Sequence, residues 1–323
     1  MTPAPRLVLA PMEGLADDIL RDVLTRAGPY DWCVTEFIRV STTVLPPSVF
    51  TRVSPELRRG ARTRAGTPVR VQLLGSDPGL LAANAAQAAA LRPAGIDLNF
   101  GCPAPLINRH GGGSALLADP ERMARIAAAV RAAVPAAMPV TAKMRLGIED
   151  SSRAVECACA LQAGGIDELV VHARTRADGY RPPARWPVVA AIREALAIPV
   201  IANGEVWTLA DYQAIRAETG CQDVMLGRGA VADPLLTRQI RHNEPFDADR
   251  QWPELAALIG DFWGQAQNKV LPAQAPGRLK QWLLLLSRRY GQAGELFAAL
   301  RPLKSAAEVT QVLGALPVPA NVA

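Results

Sequence analysis

Short runs rich in branched and aliphatic residues recur through the first 230 residues: Leu7–Met12, Trp32–Ile38, Val69–Leu74, Ile96–Phe100, Val140–Leu146, Leu169–Ala173, Val200–Asn203 and Val224–Leu226. In one of them Ile96, Leu98 and Phe100 alternate with Asp97, Asn99 and Gly101, the two-residue period of a strand. Between most runs lie alanine-rich stretches with apolar residues at three- and four-residue spacing, such as Pro78–Leu91 and Pro120–Val134, which predict helices. Proline near the start of both fits the first helical turn, where its missing N–H is no loss. Eight strands alternating with helices predict a closed α/β barrel, the (β/α)8 or TIM barrel. An open doubly wound sheet would carry a glycine-rich turn after its first strand, and Ala10-Pro11-Met12-Glu13-Gly14 does not fit G-x-G-x-x-G.

The pattern changes at Asn243-Glu244-Pro245-Phe246, and Pro253 opens a helical run without further clear strands. Gln281–Tyr290 and Glu295–Leu300 read as helices with apolar faces. Residues 1–244 are therefore expected to form the barrel and residues 245–323 a small C-terminal helical domain, fraying at Pro317–Ala323. The connection 39–68, rich in Arg and Pro, is too long for an ordinary strand–helix loop and is expected to be functional.

One stretch stands out, Ile96 to Leu117, where a strand stops at Gly101-Cys102-Pro103. Proline removes a backbone donor there and glycine permits an unusual turn. A polar loop with Gly111-Gly112-Gly113 follows, running into an apolar helix start at Ser114. A cysteine at a strand's end beside such a loop suits a group that meets a substrate; a buried, space-filling cysteine is the plainer alternative.

Composition narrows the classes. Half of the 323 residues are apolar, ample for a core, yet no run approaches the ~20 residues of a membrane span. The amino terminus lacks a secretory apolar region, and five unpaired-looking cysteines without metal-ligand spacing fit a reducing cytoplasm and no metal site. Net charge is +5, and its placement matters more than its size. Basic and acidic residues cancel over 1–264, whereas 265–304 holds seven basic residues (Lys269, Arg278, Lys280, Arg288, Arg289, Arg301, Lys304) against Glu295 alone. This segment is either a solvated helix face or a polyanion surface.

Barrel active sites lie at the carboxyl ends of the strands. There the chain places Pro11-Met12-Glu13, Glu36 and Arg39, Gln72, Asn99 and Cys102, Lys143 and Arg145, His172 and Arg174, Asn203-Gly204-Glu205, and Gly227-Arg228-Gly229. Lys143 is the sole lysine in the first 268 residues of a chain with 31 arginines, so a compact ammonium has been kept inside a strand. A Schiff-base lysine and an anchor for an anionic ring are its two chemical readings. Gly204 and Gly227-Arg228-Gly229, ahead of a helix expected near Ala230, fit a phosphate after strands seven and eight. His172 either helps hold that phosphate or is a satisfied core histidine.

Together, L-A-P-M-E-G at 9–14, R-V-Q-L-L-G at 70–75, L-N-F-G-C-P at 98–103, K-M-R-L-G at 143–147, V-V-H-A-R-T at 170–175, I-A-N-G-E at 201–205 and M-L-G-R-G-A at 225–230 resemble the tRNA-dihydrouridine synthases. T-E-F-I-R-V at 35–40 and R-L-K-Q-W-L at 278–283 are similar to the C-type bacterial branch, which modifies uridine 16 of the tRNA D-loop. The resemblance spans essentially the whole chain. It implies FMN as cofactor, NADPH (or NADH) as reductant and tRNA as partner, with the protein acting as a monomer. It also implies that Ala10, Pro11 and Met12 pass along the flavin and that Gln72 and Lys143 bond its ring edge. Asn203, Gly204, Glu205, Gly227 and Arg228 would hold the ribityl chain and phosphate, with His172 nearby, and Cys102 would donate the proton. Arg39, Asn99, Arg145, Lys280, Trp282 and Arg301 match RNA-contacting positions. Two departures are Pro105 and Ser287, where the family pattern has basic residues.

Reduction of the uracil C5–C6 bond needs hydride at C6 and a proton at C5 from the opposite face. A small-molecule flavin barrel would explain Cys102 but not the basic segment. A lysine-dependent aldolase barrel would leave Cys102 and Gln72 idle, and a non-catalytic RNA-binding barrel would explain only the charge.

Overall fold

A computed structural model describes residues 4–314, so the expected fraying at Pro317–Ala323 lies outside the described residues. The strands are β1 (Leu7–Leu9), β2 (Trp32–Val34), β3 (Ile38–Arg39), β4 (Val69–Leu74), β5 (Ile96–Phe100), β6 (Val140–Arg145), β7 (Glu168–His172), β8 (Val200–Asn203) and β9 (Asp223–Leu226). Each pairs in parallel with its neighbours, and β1 meets both β2 and β9, which closes the barrel. β2 and β3 both pair with β4 and together make one of the eight staves. The continuous strand expected over Trp32–Ile38 is therefore interrupted. Thr35 Oγ1 accepts the Gln72 N–H at 3.1 Å, and Glu36 reaches across to accept the Gly14 N–H. Side chains thus substitute for ladder bonds while the backbone steps out and back.

Around the strands run α1 (Asp18–Ala27), α2 (Pro47–Val53), α3 (Pro78–Ala90), α4 (Pro105–Arg109), α5 (Pro120–Ala133), α6 (Ala154–Ala163), α7 (Trp186–Ala195) and α8 (Leu209–Thr219), then the short α9 (Arg228–Ala232) and α10 (Leu236–His242). The connection 39–68 contains α2 and a 3-10 turn at Pro55–Arg59. Its Glu56 receives a fully buried ion pair from Arg21 on α1, at 2.9 Å.

Strand alternation divides the interior. Leu7, Leu9, Ile96, Leu98, Phe100, Ala142 and Met144 face the surrounding helices in the main core. Val8, Trp32, Val34, Val170, Ile201 and Met225 turn inward and pack on one another. At the amino ends of the strands the barrel is plugged. Arg70 pairs with Glu168 at 2.7 Å and lies 4.0 Å from the Trp32 ring, while Arg6 reaches both Glu168 and Asp223. The carboxyl ends are left open.

The chain continues as α11 (Ala248–Lys269), α12 (Ala275–Leu286), α13 (Gly291–Leu300) and α14 (Ala306–Gly314). Pro253 lies inside α11 rather than opening it, because Asp247 caps the helix earlier by accepting the Arg250 N–H at 3.0 Å. Pro276 similarly starts α12 before Gln281, and residues 287–290 are the turn into α13. These helices are bolted to the barrel by Trp282, which is 1% exposed, lies 4.9 Å from Phe262 with the two rings tilted, and donates to the Val231 carbonyl on α9 at 3.1 Å. Trp282→Ala is expected to cost about 3–5 kcal/mol, read as a shift of the denaturant midpoint.

Candidate active site

At the open end the strand termini surround a cavity of about 600 Å³. Ala10, Pro11 and Met12 form one wall after β1, and Gln72, Asn99 and Cys102 another after β4 and β5. Lys143 and Arg145 from β6 and His172 from β7 lie between, with Asn203, Gly204, Glu205, Gly227 and Arg228 opposite. The structure thus gathers every expected cofactor residue, with Cys102, Asn99 and Arg145, around one space.

The Cys102 turn is held almost atom by atom. Asn99 Oδ1 accepts the N–H groups of Gly101 and Cys102, each at 2.9 Å. The Cys102 carbonyl accepts from the Ser114 N–H, the Ser114 hydroxyl and Asn108 Nδ2, all at 3.0 Å. Gly113 is required, since its φ is +59° and an added Cβ would stand 2.7 Å from that carbonyl. Arg145 Nε donates to the Gly101 carbonyl at 2.9 Å, and its Nη1 to those of Thr175 and Gly179. The expected plain loop contains α4, with Pro105 in its first turn, and a 3-10 turn occupies Gly113–Ala118 where a helix start was expected. Cys102 is 9% exposed. Burial pushes its thiol above the ordinary value, so the sulfur carries its proton at neutral pH.

On the neighbouring strand Lys143 stands beside Asn99 in register. Burial, then the nearby Arg145 charge, lowers its ammonium to about 7, against the opposing pull of Asp97. Asp97 is 1% exposed and accepts from Gln72 Nε2 at 2.7 Å and from Thr141 Oγ1 at 2.6 Å. Sequence reasoning passed over Asp97. The signal was an acid at an inward strand position, two residues before Asn99.

At the far end His172 is held well below its ordinary value by burial and then by Lys143, Arg145, Arg174 and Arg228, so the ring is neutral. Gly204 has φ +120°, and a Cβ there would approach His172 Cδ2 at 3.0 Å. Asn203 Nδ2 donates to the Met225 carbonyl at 2.8 Å, tying β8 to β9. Glu205 lines the cavity, its carboxylate turned onto neighbouring side chains. It pairs with the 1%-exposed Arg174 and accepts from Trp207 Nε1 at 2.9 Å. The helix expected near Ala230 begins at Arg228. The Arg228 guanidinium lies 4.4 Å from the Tyr180 ring and 5.4 Å from Trp207, on which Arg288 also stacks at 4.2 Å. Tyr180, Trp207 and Phe37, all lining the cavity, were absent from the expected site because loop conformation and the strand break bring them in.

Residues 8–269 match the dihydrouridine synthase family. The chain belongs to that family. It is 54% identical over 313 residues to the tRNA-dihydrouridine(16) synthase of Cupriavidus necator, covering 97% of each chain. The Aquipseudomonas alcaligenes protein of the same name is 54% identical over 97% of this chain and 100% of its own. That of Salmonella typhimurium is 45% identical over 97% and 100%. Among solved structures, the complex of 2-naphthoyl-CoA reductase with 2-naphthoyl-CoA superposes with a TM-score of 0.59 at 12% identity, over 74% of this chain and 50% of that one. Histamine dehydrogenase from Rhizobium sp. 4-9 gives 0.55 at 15% identity, over 80% and 48%. The chain spans about half the length of these two structures, and the likeness is one of fold.

In this dihydrouridine synthase Asn99 and Arg145 line the cavity, and the other expected RNA-contacting residues lie outside it. Arg39 ends β3 and is half-buried, while Arg301 closes α13 and is exposed. Lys280 Nζ donates to the carbonyls of Arg301 and Leu303, capping α13. Trp282 corrects the expectation outright: a side chain 1% exposed in the seam between helices and barrel meets no RNA surface. Much of the basic excess also serves that seam. Lys269 pairs with Asp18, Arg278 with Asp17 at 2.9 Å, and Arg289 lies 3.9 Å from Asp233. Ser287 caps α12, its hydroxyl donating to the Leu284 carbonyl at 2.9 Å. Among the described residues no helix is long and apolar enough to cross a membrane, and no three metal-ligating side chains converge.

Proposed function

We propose that this chain reduces the C5–C6 bond of a tRNA D-loop uridine, at position 16, to 5,6-dihydrouridine, with FMN as cofactor and NADPH as reductant. The observation that carries the reading is a buried thiol, on a turn whose Gly101 and Cys102 backbone groups are all hydrogen-bonded, sharing one cavity with Lys143 and Gln72. Membership of the dihydrouridine synthase family supports the same conclusion. The reading also makes the protein a cytoplasmic monomer whose helices after residue 245 meet tRNA.

The residues present fit the cofactor. A cavity of about 600 Å³ is of the usual size for a ligand of this class. Gly204 leaves backbone open beside a neutral His172, and Arg228 supplies positive charge at that end. Lys143 and Gln72 would hold the ring edge, Ala10, Pro11 and Met12 its flank, and Asn203, Gly204, Glu205, Gly227 and Arg228 the ribityl chain and phosphate. When bound, FMN supplies the hydride that reaches uracil C6.

The chain's own part is the proton. Cys102 S–H breaks as a C5–H bond forms, leaving a thiolate that regains its proton from solvent before the next turnover. Arg145 stabilises that thiolate electrostatically. Asn99 has spent its carbonyl on the turn and one amide hydrogen on Gln72, which leaves a single N–H donor for the uracil edge. Bringing the base into the cavity requires taking it out of the RNA fold, at a cost of a few kcal/mol.

The test has two parts. The purified protein should show a flavin absorbance spectrum with about one FMN per chain. Its tRNA substrate, sequenced from a strain lacking the protein, should lose dihydrouridine at position 16 alone. Colourless protein, or unchanged tRNA, overturns the proposal. On the RNA surface, Arg301→Ala should weaken tRNA binding and flatten its log–log salt dependence by about one unit, with FMN content unchanged. Binding measured at several salt concentrations checks this; an unchanged slope assigns Arg301 to the solvated face.

A further inference from the structure

A single hydrogen-bonded chain runs from the barrel interior to the Cys102 turn. Thr141 on β6 donates to Asp97 Oδ1 at 2.6 Å, and Gln72 on β4 donates from Nε2 to Asp97 Oδ2 at 2.7 Å. Gln72 Oε1 accepts from Asn99 Nδ2 at 2.8 Å, and Asn99 Oδ1 accepts the N–H groups of Gly101 and Cys102 at 2.9 Å. Strand register makes the chain possible, since Gln72, Asp97 and Thr141 are direct neighbours across β4, β5 and β6. Gln72 is 0% and Asp97 1% exposed, so water does not compete for these bonds.

The two ends give the chain a direction. An ionised carboxylate only accepts and a backbone N–H only donates. The two amides between them therefore have one orientation that satisfies every partner. Reversing either would set two donors or two acceptors face to face in a buried place, which is costly. Burial, the largest effect, holds the Asp97 carboxyl above its ordinary value, opposed by hydrogen bonds from Gln72 and Thr141 and then by the charges of Arg70 and Lys143.

We propose that Asp97 is a positioning residue for the reaction: acting through Gln72 and Asn99, it fixes the backbone of Gly101 and Cys102 and so the place of the thiol. It acts at a distance from Cys102, by polarity rather than contact. Its catalytic consequence rests on the dihydrouridine synthase reading, whereas the chain itself belongs to the protein whatever its substrate.

Amide hydrogen exchange on the purified full-length protein tests this. In Asp97→Asn the new amide can donate toward Gln72, both central amides can turn, and the Gly101 and Cys102 N–H groups then face an NH2. Exchange at those two amides should quicken by about ten-fold or more at an unchanged global unfolding midpoint. Dihydrouridine formation should fall by about ten-fold. Adding Gln72→Glu to Asp97→Asn moves the carboxylate one link along and restores the direction. Exchange at Gly101 and Cys102 should return toward wild type in that double variant, whatever happens to flavin binding. If Asp97→Asn does not fold, Gln72→Leu cuts the chain at its middle, leaves Asp97 with Thr141, and should quicken the same two amides. Unchanged exchange there, or a double variant no slower than Asp97→Asn, overturns the proposal. Absent flavin or unmodified tRNA would instead overturn the functional reading and leave the exchange result standing.

Discussion

Cys102→Ala is expected to yield a yellow protein that still oxidises NADPH but makes about a hundred- to ten-thousand-fold less dihydrouridine, the range for loss of a general acid. The split follows from where the groups lie. The cofactor contacts proposed here are on Lys143, Gln72 and the ends of β8 and β9, none of which is bonded to the sulfur. Truncating the thiol removes one S–H and leaves the turn intact, because its bonds are made by the Cys102 backbone. The pH dependence has a definite sign. A thiol raised by burial stays protonated through the ordinary thiol range, so dihydrouridine formation should show no alkaline fall from this group up to about pH 8.5. Stopped-flow reduction by NADPH, followed by reoxidation with tRNA, separates the two halves. Wild-type turnover in Cys102→Ala would return the residue to a space-filling role.

The barrel was legible because its strands are short, alternating and separated by alanine-rich helices. Even the polar ends of the strands could be read, since a residue such as Lys143 or Asn203 is anomalous in a buried run. What could not be read depended on register and on loops. Asp97 looks like any strand residue until β4 and β6 bring Gln72 and Thr141 to its two oxygens. Arg174 could be placed at the polar end of its strand, but not its burial to 1% exposed against Glu205. Tyr180 and Trp207 reach the cavity from loops that carry no periodicity. Charge counting misled in a specific way. Lys269, Arg278 and Arg289 swell the basic segment, yet each finds an acid, Asp18, Asp17 or Asp233, and serves the seam between helices and barrel. Trp282 was placed on the RNA surface for want of any sequence signal that its indole N–H would meet the Val231 carbonyl.

Lys143→Met should have the second large effect, on cofactor retention. Losing one hydrogen bond to a charged group costs about 1.5–3 kcal/mol, or roughly ten- to a hundred-fold in FMN affinity. The proton ledger gives a sharper test. In the protein without cofactor, burial lowers the ammonium to about 7 from its ordinary 10.5. Between those values the unfolded chain binds a proton that the folded chain does not, so this residue's contribution to stability rises with pH through that window. Below about pH 7 the full penalty of burying the charge applies. The methionine variant of the cofactor-free protein should therefore gain most over wild type at and below neutrality, with the advantage shrinking toward pH 10. Acceptor atoms of a bound ring favour the charged form and raise the ammonium again. Binding of FMN at pH 8 should accordingly take up a proton, up to about one per chain, and Lys143→Met should abolish that uptake. Calorimetry in two buffers of different ionisation enthalpy measures it directly. Equal uptake in both proteins would show that Lys143 does not meet the ring, and the anchor would have to be sought elsewhere along the cavity wall.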